Sequence, residues 1–442
     1  MNIDNVTSLR NARRAGIAAF VGTAIEWYDF FVFTTASGLV FGKIFFPKLD
    51  SGAGALAAFA TLWVGYIGRP LGGVVFGHIG DRFGRKKALI TTLLGMGCST
   101  VAVGLLPTYQ QVGFMAPALL ALLRIVQGVA LGGEWGGAVL IASESAPKNR
   151  RISFGNFAQQ GTPAGSILAT LVFIPVAAMP ASSFESWGWR VPFLLSAILV
   201  IVGLVIRMKL EEPPDFEEVR RTNQVAKVPV VDVLRGSAGL LVLAVGACAV
   251  GVGMSGMKNP FALAWLTSGV GIGRTTVLDI LLMATVVQFL VQPLAAHWAR
   301  RFGTQRIMLG SLLLTVVTMP VVFAMMDTGT VPLVAVGFCL FMGTQSGYYA
   351  VLAGFVSDLF PARVRYTGIS LAYQLAASVF GAIPVIAQLM LNKAGGIWAA
   401  VAFYSLIVLL ATGCLLAIAR RQRRAACAPT PVTPNTTKSG LV

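Results

Sequence analysis

Twelve runs of apolar residues, each long enough to cross a bilayer, constrain this chain more than any other feature. Six fall near 15–41, 53–79, 88–106, 113–145, 152–179 and 190–208. Six more fall near 237–266, 275–299, 307–326, 331–358, 366–391 and 396–419. A spanning helix needs about 20 mostly apolar residues. Composition agrees: 56% of the residues are hydrophobic and 12% charged, and the mean hydropathy is +0.77. A soluble domain carries roughly a quarter charged residues, so the apolar surplus has to face lipid. The fold expected is an all-α integral membrane protein.

A polar stretch from Lys209 to about Gly236 divides the spans six and six. The expected organisation is an N-terminal segment 1–14, a six-helix domain 15–208, a linker 209–236, a second six-helix domain 237–419, and a disordered polar tail 420–442. The first apolar run is too long for a cleaved signal and reads as a retained span. Of the 34 Lys and Arg, only Lys43, Lys48, Arg190, Arg274 and Lys393 fall on one side of the alternating loops. Arg69, Arg124 and Lys258 lie within spans, and the other 26 gather on the opposite side. That bias puts both termini in the cytoplasm of a bacterial inner membrane. The net charge of +17 is thus spread over loops beside anionic lipid, which argues against a nucleic-acid partner. The five cysteines are scattered without a CxxC pair, and no disulfide framework, metal site or cofactor is expected.

The two halves echo each other. Gly77-His78-Ile79-Gly80-Asp81-Arg82-Phe83-Gly84-Arg85 follows the second span, and Ala296-His297-Trp298-Ala299-Arg300-Arg301-Phe302-Gly303 follows the eighth. Pro147-Lys148-Asn149-Arg150-Arg151 has its counterpart in Pro361-Ala362-Arg363-Val364-Arg365. A pair of repeated six-helix domains places a solute site near the midplane between them, and one copy suffices to close it, so a monomer is expected.

The most specific local pattern is Gly77-x3-Asp81-Arg82-Phe83-Gly84-Arg85. Gly84 permits a tight turn, and Gly72, Gly73 and Gly77 allow close helix packing. Asp81 can accept hydrogen bonds from a facing helix N-terminus or an arginine. Gly77, Asp81, Arg82, Gly84 and Arg85 are therefore read as a latch, with Glu144, Arg150, Asp358 and Arg365 as further gate residues. This loop resembles the signature of the major facilitator superfamily. Glu26-Trp27-Tyr28-Asp29-Phe30, Arg69-Pro70-Leu71-Gly72-Gly73, and Arg124-x2-Gln127-Gly128-x3-Gly132-Gly133-Glu134-Trp135 narrow the resemblance to its metabolite:proton symporters. That family includes shikimate, α-ketoglutarate and proline/betaine permeases, and 116–151 looks most like the shikimate carriers. The resemblance implies proton-coupled uptake. The second half departs from it, with Arg300 standing opposite Asp81.

Ionisable residues at bilayer depth are costly and usually functional. Glu26 and Asp29, three apart on one helix face, lie about 16 and 21 Å into the first span. Arg124 lies about 16 Å in from the other side. Asp29 and Arg124 are expected to pair, as a proton switch or as a permanent structural bridge. Desolvation favours a neutral acid and a nearby arginine favours the carboxylate, and that competition makes a usable switch. Glu134 reads equally as proton carrier or structural latch. Arg69 pairs with Glu26 or snorkels outward. Lys258, before Asn259-Pro260, either sits on a broken seventh helix facing a solute carboxylate or reaches the outer interface. Gln127, Tyr28, Gln159, Gln160, Gln345, Tyr348 and Gln374 are candidate neutral lining groups, with Gln288 and Tyr349 beside them.

No nucleotide-binding loop and no catalytic constellation stands out. The function expected is proton-coupled import of a small organic acid, whether shikimate-like, aromatic or dicarboxylic. A betaine-type zwitterion and a proton-coupled exporter are the alternatives.

Overall fold

The computed structural model describes residues 3–134, 151–209, 221, 229–361, 364–393 and 396–427. Among these no strand occurs. The first half holds α1 (Ile3–Ala36), α2 (Ser51–Arg82), α3 (Arg85–Gly104), α4 (Met115–Gly132), α5 (Arg151–Ala177) and α6 (Val191–Met208). The second holds α7 (Pro229–Gly256), α8 (Arg274–Phe302), α9 (Thr304–Asp327), α10 (Val331–Ser357), α11 (Arg365–Phe380) and α12 (Ile397–Cys427). Helix therefore continues past both ends of the apolar core, back to Ile3 and on to Cys427. Eleven of the described helical segments are long and apolar enough to span a bilayer, α11 being one once it continues through the helix Ile383–Lys393. The twelfth, α2, has 32 residues, and Arg69, Pro70 and its glycines dilute its apolarity.

Those glycines show what the dilution is for. Gly65, Gly68 and Gly72 of α2 lie against Gly128, Val129 and Gly132 of α4. A Cβ at Gly128 would overlap the Gly65 carbonyl, and one at Gly72 would overlap the Val129 carbonyl. Lipid supplies no hydrophobic drive to join helices, so close backbone contact of small residues does it instead. The corresponding pair in the second half, α8 and α10, packs through side chains, and Gly343 there has only ordinary contact around it.

The helices pair alike in the two halves: α1 with α5 and α6, α7 with α11 and α12, α2 with α4, α8 with α10. The loops echo as well. Gly84 (φ 115°, ψ 145°) and Gly303 (φ 93°, ψ 138°) precede α3 and α9 in nearly the same conformation, one that suits glycine.

The halves meet along the full length of the bundle. At the arginine-rich end Thr367 docks on Asp81, and the Tyr366 hydroxyl donates to the Gly133 carbonyl at 2.5 Å. Midway, Gln159 Nε2 donates to the Tyr349 carbonyl at 2.8 Å. Toward the opposite end Trp63 Nε1 donates to the Ser378 carbonyl at 2.9 Å, and the Ser378 hydroxyl to the Tyr66 carbonyl at 2.6 Å. Contacts at both ends enclose the centre, so the described residues form an occluded arrangement.

Candidate functional site

A small, partly enclosed cavity of about 10 Å³, room for about one water, lies between the halves. Trp27 and Phe31, one turn apart on α1, form an aromatic wall. Thr162, Ser255, Gln288 and Tyr349 supply polar edges, and Lys258 supplies a charge.

Lys258 is 2% exposed, so it does not reach an interface. Its ammonium donates to Ser166 Oγ at 2.9 Å and Thr285 Oγ1 at 3.1 Å, and lies 4.9 Å from the Phe31 ring centroid. The helix around it is widened rather than broken. Met257–Ala262 and Trp265–Gly269 form π turns about Pro260. The wider turn absorbs the proline's missing donor while keeping the chain helical. Gln288 Nε2, buried and without a hydrogen-bond partner, belongs to a side chain that lines the same cavity.

The expected Asp29–Arg124 pair does not form. Arg124 Nη1 donates to Gln127 Oε1 at 2.9 Å, and the guanidinium lies 3.8 Å from the Phe33 ring centroid. Phe33 is one turn beyond Asp29 on α1, so its ring covers the guanidinium on the side where the carboxylate was expected. Asp29 turns to α6 instead and accepts from Ser196 Oγ at 2.5 Å. Between the two, Gln127 Nε2 donates to Thr100 Oγ1 at 2.9 Å, and the Thr100 hydroxyl in turn donates to the Met96 carbonyl at 3.0 Å.

Arg69 neither pairs with Glu26 nor snorkels. It is buried with its guanidinium 5.0 and 6.0 Å from the Tyr66 and Tyr373 ring centroids. Glu26 and Glu134 share a different cation. Arg207 Nη2 stands 2.5 Å from Glu26 Oε1 and 2.7 Å from Glu134 Oε1. The same guanidinium donates to the Leu89 carbonyl, and Thr92 Oγ1 donates to Glu134 Oε2 at 3.1 Å. This bridge ties α1, α3, α4 and α6 together and closes no gate between the halves. Sequence reasoning counted Arg207 among the basic loop residues; Arg-Met-Lys at the end of an apolar run carries no mark of an inward-facing side chain.

Several expected lining groups are engaged elsewhere. The Tyr28 hydroxyl donates to the Pro192 carbonyl at 2.7 Å, because residue 28 is turned away from the Trp27–Phe31 face. Gln345 accepts from the Tyr404 hydroxyl at 2.7 Å, and the Tyr348 hydroxyl donates to the Ala247 carbonyl. Gln160 Nε2 reaches the Phe289 carbonyl at 3.0 Å, and Gln374 Nε2 the Leu131 carbonyl at 3.4 Å. With Gln159, these last two bridge the halves.

At the arginine-rich end, Asp81 Oδ2 accepts from the Thr367 backbone N–H at 3.2 Å and from its hydroxyl at 2.8 Å. Thr367 is in the first turn of α11, whose free N–H groups suit a carboxylate. Gly77 and Gly80 lie against Thr367 and Tyr366, where side chains would intrude. Arg85 is buried near enough to act on the Asp81 charge. Arg82 is exposed over the Phe83 ring. Asp358 is exposed at the end of α10, and Arg365 Nε donates to the Phe360 carbonyl at 3.2 Å. Glu144 and Arg150 lie outside the described residues.

One electrostatic fact unites the centre. Arg69, Arg124 and Lys258 are each at most 3% exposed. Among the described residues none of them meets a carboxylate. Twelve helices in repeated halves around such a cavity define a carrier of the major facilitator class. The family model for sugar (and other) transporters matches residues 15–239, and the chain belongs to that family. It is 37% identical to the inner membrane metabolite transport protein YhjE of Escherichia coli (strain K12), over 92% of this chain and 95% of that one. It is also 37% identical to the shikimate transporter of the same organism, over 93% and 94%. Among solved structures, the partially occluded inward-open xylose transporter XylE from E. coli superposes with a TM-score of 0.73 at 18% identity, covering 91% and 96%. The chain is a multi-pass membrane transporter and not an enzyme.

Proposed function

We propose that the chain imports a small organic acid together with a proton by alternating access, the proton gradient being its only energy source. The observation that carries this reading is the set of three buried cations without a carboxylate. Burying a charge in a low-dielectric interior is costly unless something neutralises it. A solute carboxylate at Lys258 and Gln288 neutralises one cation, while the Trp27–Phe31 wall suits a ring or a flat carbon skeleton. The shikimate transporter is named for such an acid.

Asp29 is the proposed proton site. It is buried and has no cation of its own among the described residues. A proton on Asp29 adds one positive charge and an anion beside Lys258 adds one negative charge, so binding both leaves the net charge of the centre unchanged and the acid and proton cross together. In this reading the arginine-rich end faces the cytoplasm of an inner membrane and the working unit is one chain.

The test is uptake into proteoliposomes under an imposed pH gradient, with shikimate and benzoate as probes. Acid inside the lumen should accumulate only when the outside is acidic, and Asp29→Asn should leave counterflow exchange while abolishing accumulation. Accumulation undiminished in Asp29→Asn, or driven equally without a pH gradient, contradicts the reading.

A further inference from the structure

Two positive charges of the first half have no answer in the function proposed above. The solute carboxylate meets Lys258, which follows α7. Arg69 of α2 and Arg124 of α4 are each 3% exposed, and an arginine does not shed its proton to escape burial. Each buried carboxylate among the described residues is engaged elsewhere: Asp29 with Ser196, Glu26 and Glu134 with Arg207, Asp81 with Thr367. The two guanidiniums are near enough to act on each other and on the Tyr66 hydroxyl. Like charges gathered in a low-dielectric interior raise the cost of burial further.

The unmet donors are specific atoms. Arg69 Nε and Arg124 Nε are both buried without a hydrogen-bond partner, and buried polar groups are rarely left so. The surroundings of Arg124 are tight. Its guanidinium lies 3.8 Å from the Phe33 ring centroid. A Cβ at Gly65 would stand 3.0 Å from Nε and Nη2 and 3.1 Å from Cζ, so Gly65 lies against the other face. Nη1 is already used, donating to Gln127. The Nε–H is therefore reached only in the plane of the guanidinium. Arg69 is walled by the Tyr66 and Tyr373 rings, with centroids at 5.0 and 6.0 Å. Such a place admits a compact ion and no carbon skeleton.

We infer that Arg69 and Arg124 together bind a small inorganic anion such as chloride, which stays with the protein as a counterion. The ion accepts from both Nε–H groups. Its two holders sit on helices that do not part, since α2 and α4 touch backbone to backbone through Gly65, Gly72, Gly128 and Gly132. The Lys258 cavity, by contrast, is lined from both halves and has to open for a solute to leave. An ion held by α2 and α4 thus remains through the transport cycle while the solute comes and goes. The inference does not depend on which solute Lys258 receives.

The test uses the purified full-length protein in detergent, exchanged into sodium gluconate. Chloride replaces gluconate stepwise at constant ionic strength, so that screening stays fixed. Thermal unfolding reports stabilisation, and equilibrium dialysis with radioactive chloride counts the ions held. One chloride per chain is expected, with a saturable Tm rise that gluconate alone does not give. Arg69→Gln and Arg124→Gln should each weaken chloride binding at least about tenfold, by loss of a charge-assisted contact. Arg301→Gln, at an exposed position, should change nothing. If the buried variants fail to fold, crystals of the wild type soaked in bromide decide, with the anomalous signal of one ion expected between Arg69 and Arg124. Excess shikimate should leave the chloride in place. Equal Tm in chloride and gluconate, with no chloride retained, would overturn the inference. So would bromide found only elsewhere, or chloride displaced by shikimate, which would make both arginines part of the solute site.

Discussion

The interiors of the two halves are built from different chemistry. In the first half Glu26, Asp29, Asp81, Arg124, Glu134 and Arg207 are all buried. In the second, Lys258 is the one buried charged side chain among the described residues, and Gln288, Gln292, Gln345, Thr285 and Thr315 fill the polar positions. The loops differ in the same sense: Asp81 latches onto α11, whereas its counterpart Arg300 is exposed on His297. Repeated backbones have thus been given unequal roles. In the function proposed here, the first half holds the proton site, and the second offers a neutral hydrogen-bonding scaffold with one cation for the solute.

The largest effect that would sharpen this contrast is backbone packing. Gly128→Ala forces a methyl group into the Gly65 carbonyl, and we expect no folded, monodisperse protein by size-exclusion chromatography. Gly343→Ala, at the corresponding pair in the second half, should stay within about 0.5 kcal/mol of wild type, as an ordinary tolerated substitution does. Equal tolerance of both would remove the packing difference.

Next comes the buried bridge. Arg207→Met strands two carboxylates and should cost about 3–5 kcal/mol, read as lost thermal or denaturant stability in detergent. Adding Glu26→Gln and Glu134→Gln to that variant should recover most of it, since no charge then lacks a partner. In the second half, Gln345→Leu unpairs only the Tyr404 hydroxyl and should cost about 1–3 kcal/mol. If Arg207→Met proved milder than Gln345→Leu, the charged first-half core would not be the stronger tie of the two.

The smallest effect concerns the latch. Asp81→Asn keeps the shape but loses a charge-assisted contact with α11, and should weaken closure of the arginine-rich end by about 1–2 kcal/mol. Distance measurements between spin labels on α2 and α11 would show the open population rising roughly tenfold, which corresponds to about 1.4 kcal/mol.

Much of this design is legible in the chain. Span number, the six-and-six division and the repeat follow from hydropathy and charge alternation, which lipid enforces on every helix. Gly77 and Asp81 are legible too, because glycine and aspartate at helical spacing have few other uses in such a place. Helix rotation is not legible. Trp27 faces the cavity while Tyr28 faces α6, a turn of about 100° that an apolar helix does not announce. The partner of Asp29 is a hydroxyl, Ser196, a residue type too common in spans to mark a site. Arg207 is hidden for the opposite reason, standing where a positive-inside arginine is expected.

The central claim is that Lys258, with Arg69 and Arg124 behind it, receives a carboxylate. Isothermal titration of the purified protein with shikimate and with its primary amide tests this most directly. The account predicts that the acid binds at least about tenfold more tightly than the amide, and that Lys258→Gln removes the difference, a change of about 1.4 kcal/mol or more. Equal binding of acid and amide by the wild type, or an undiminished preference in Lys258→Gln, would contradict it.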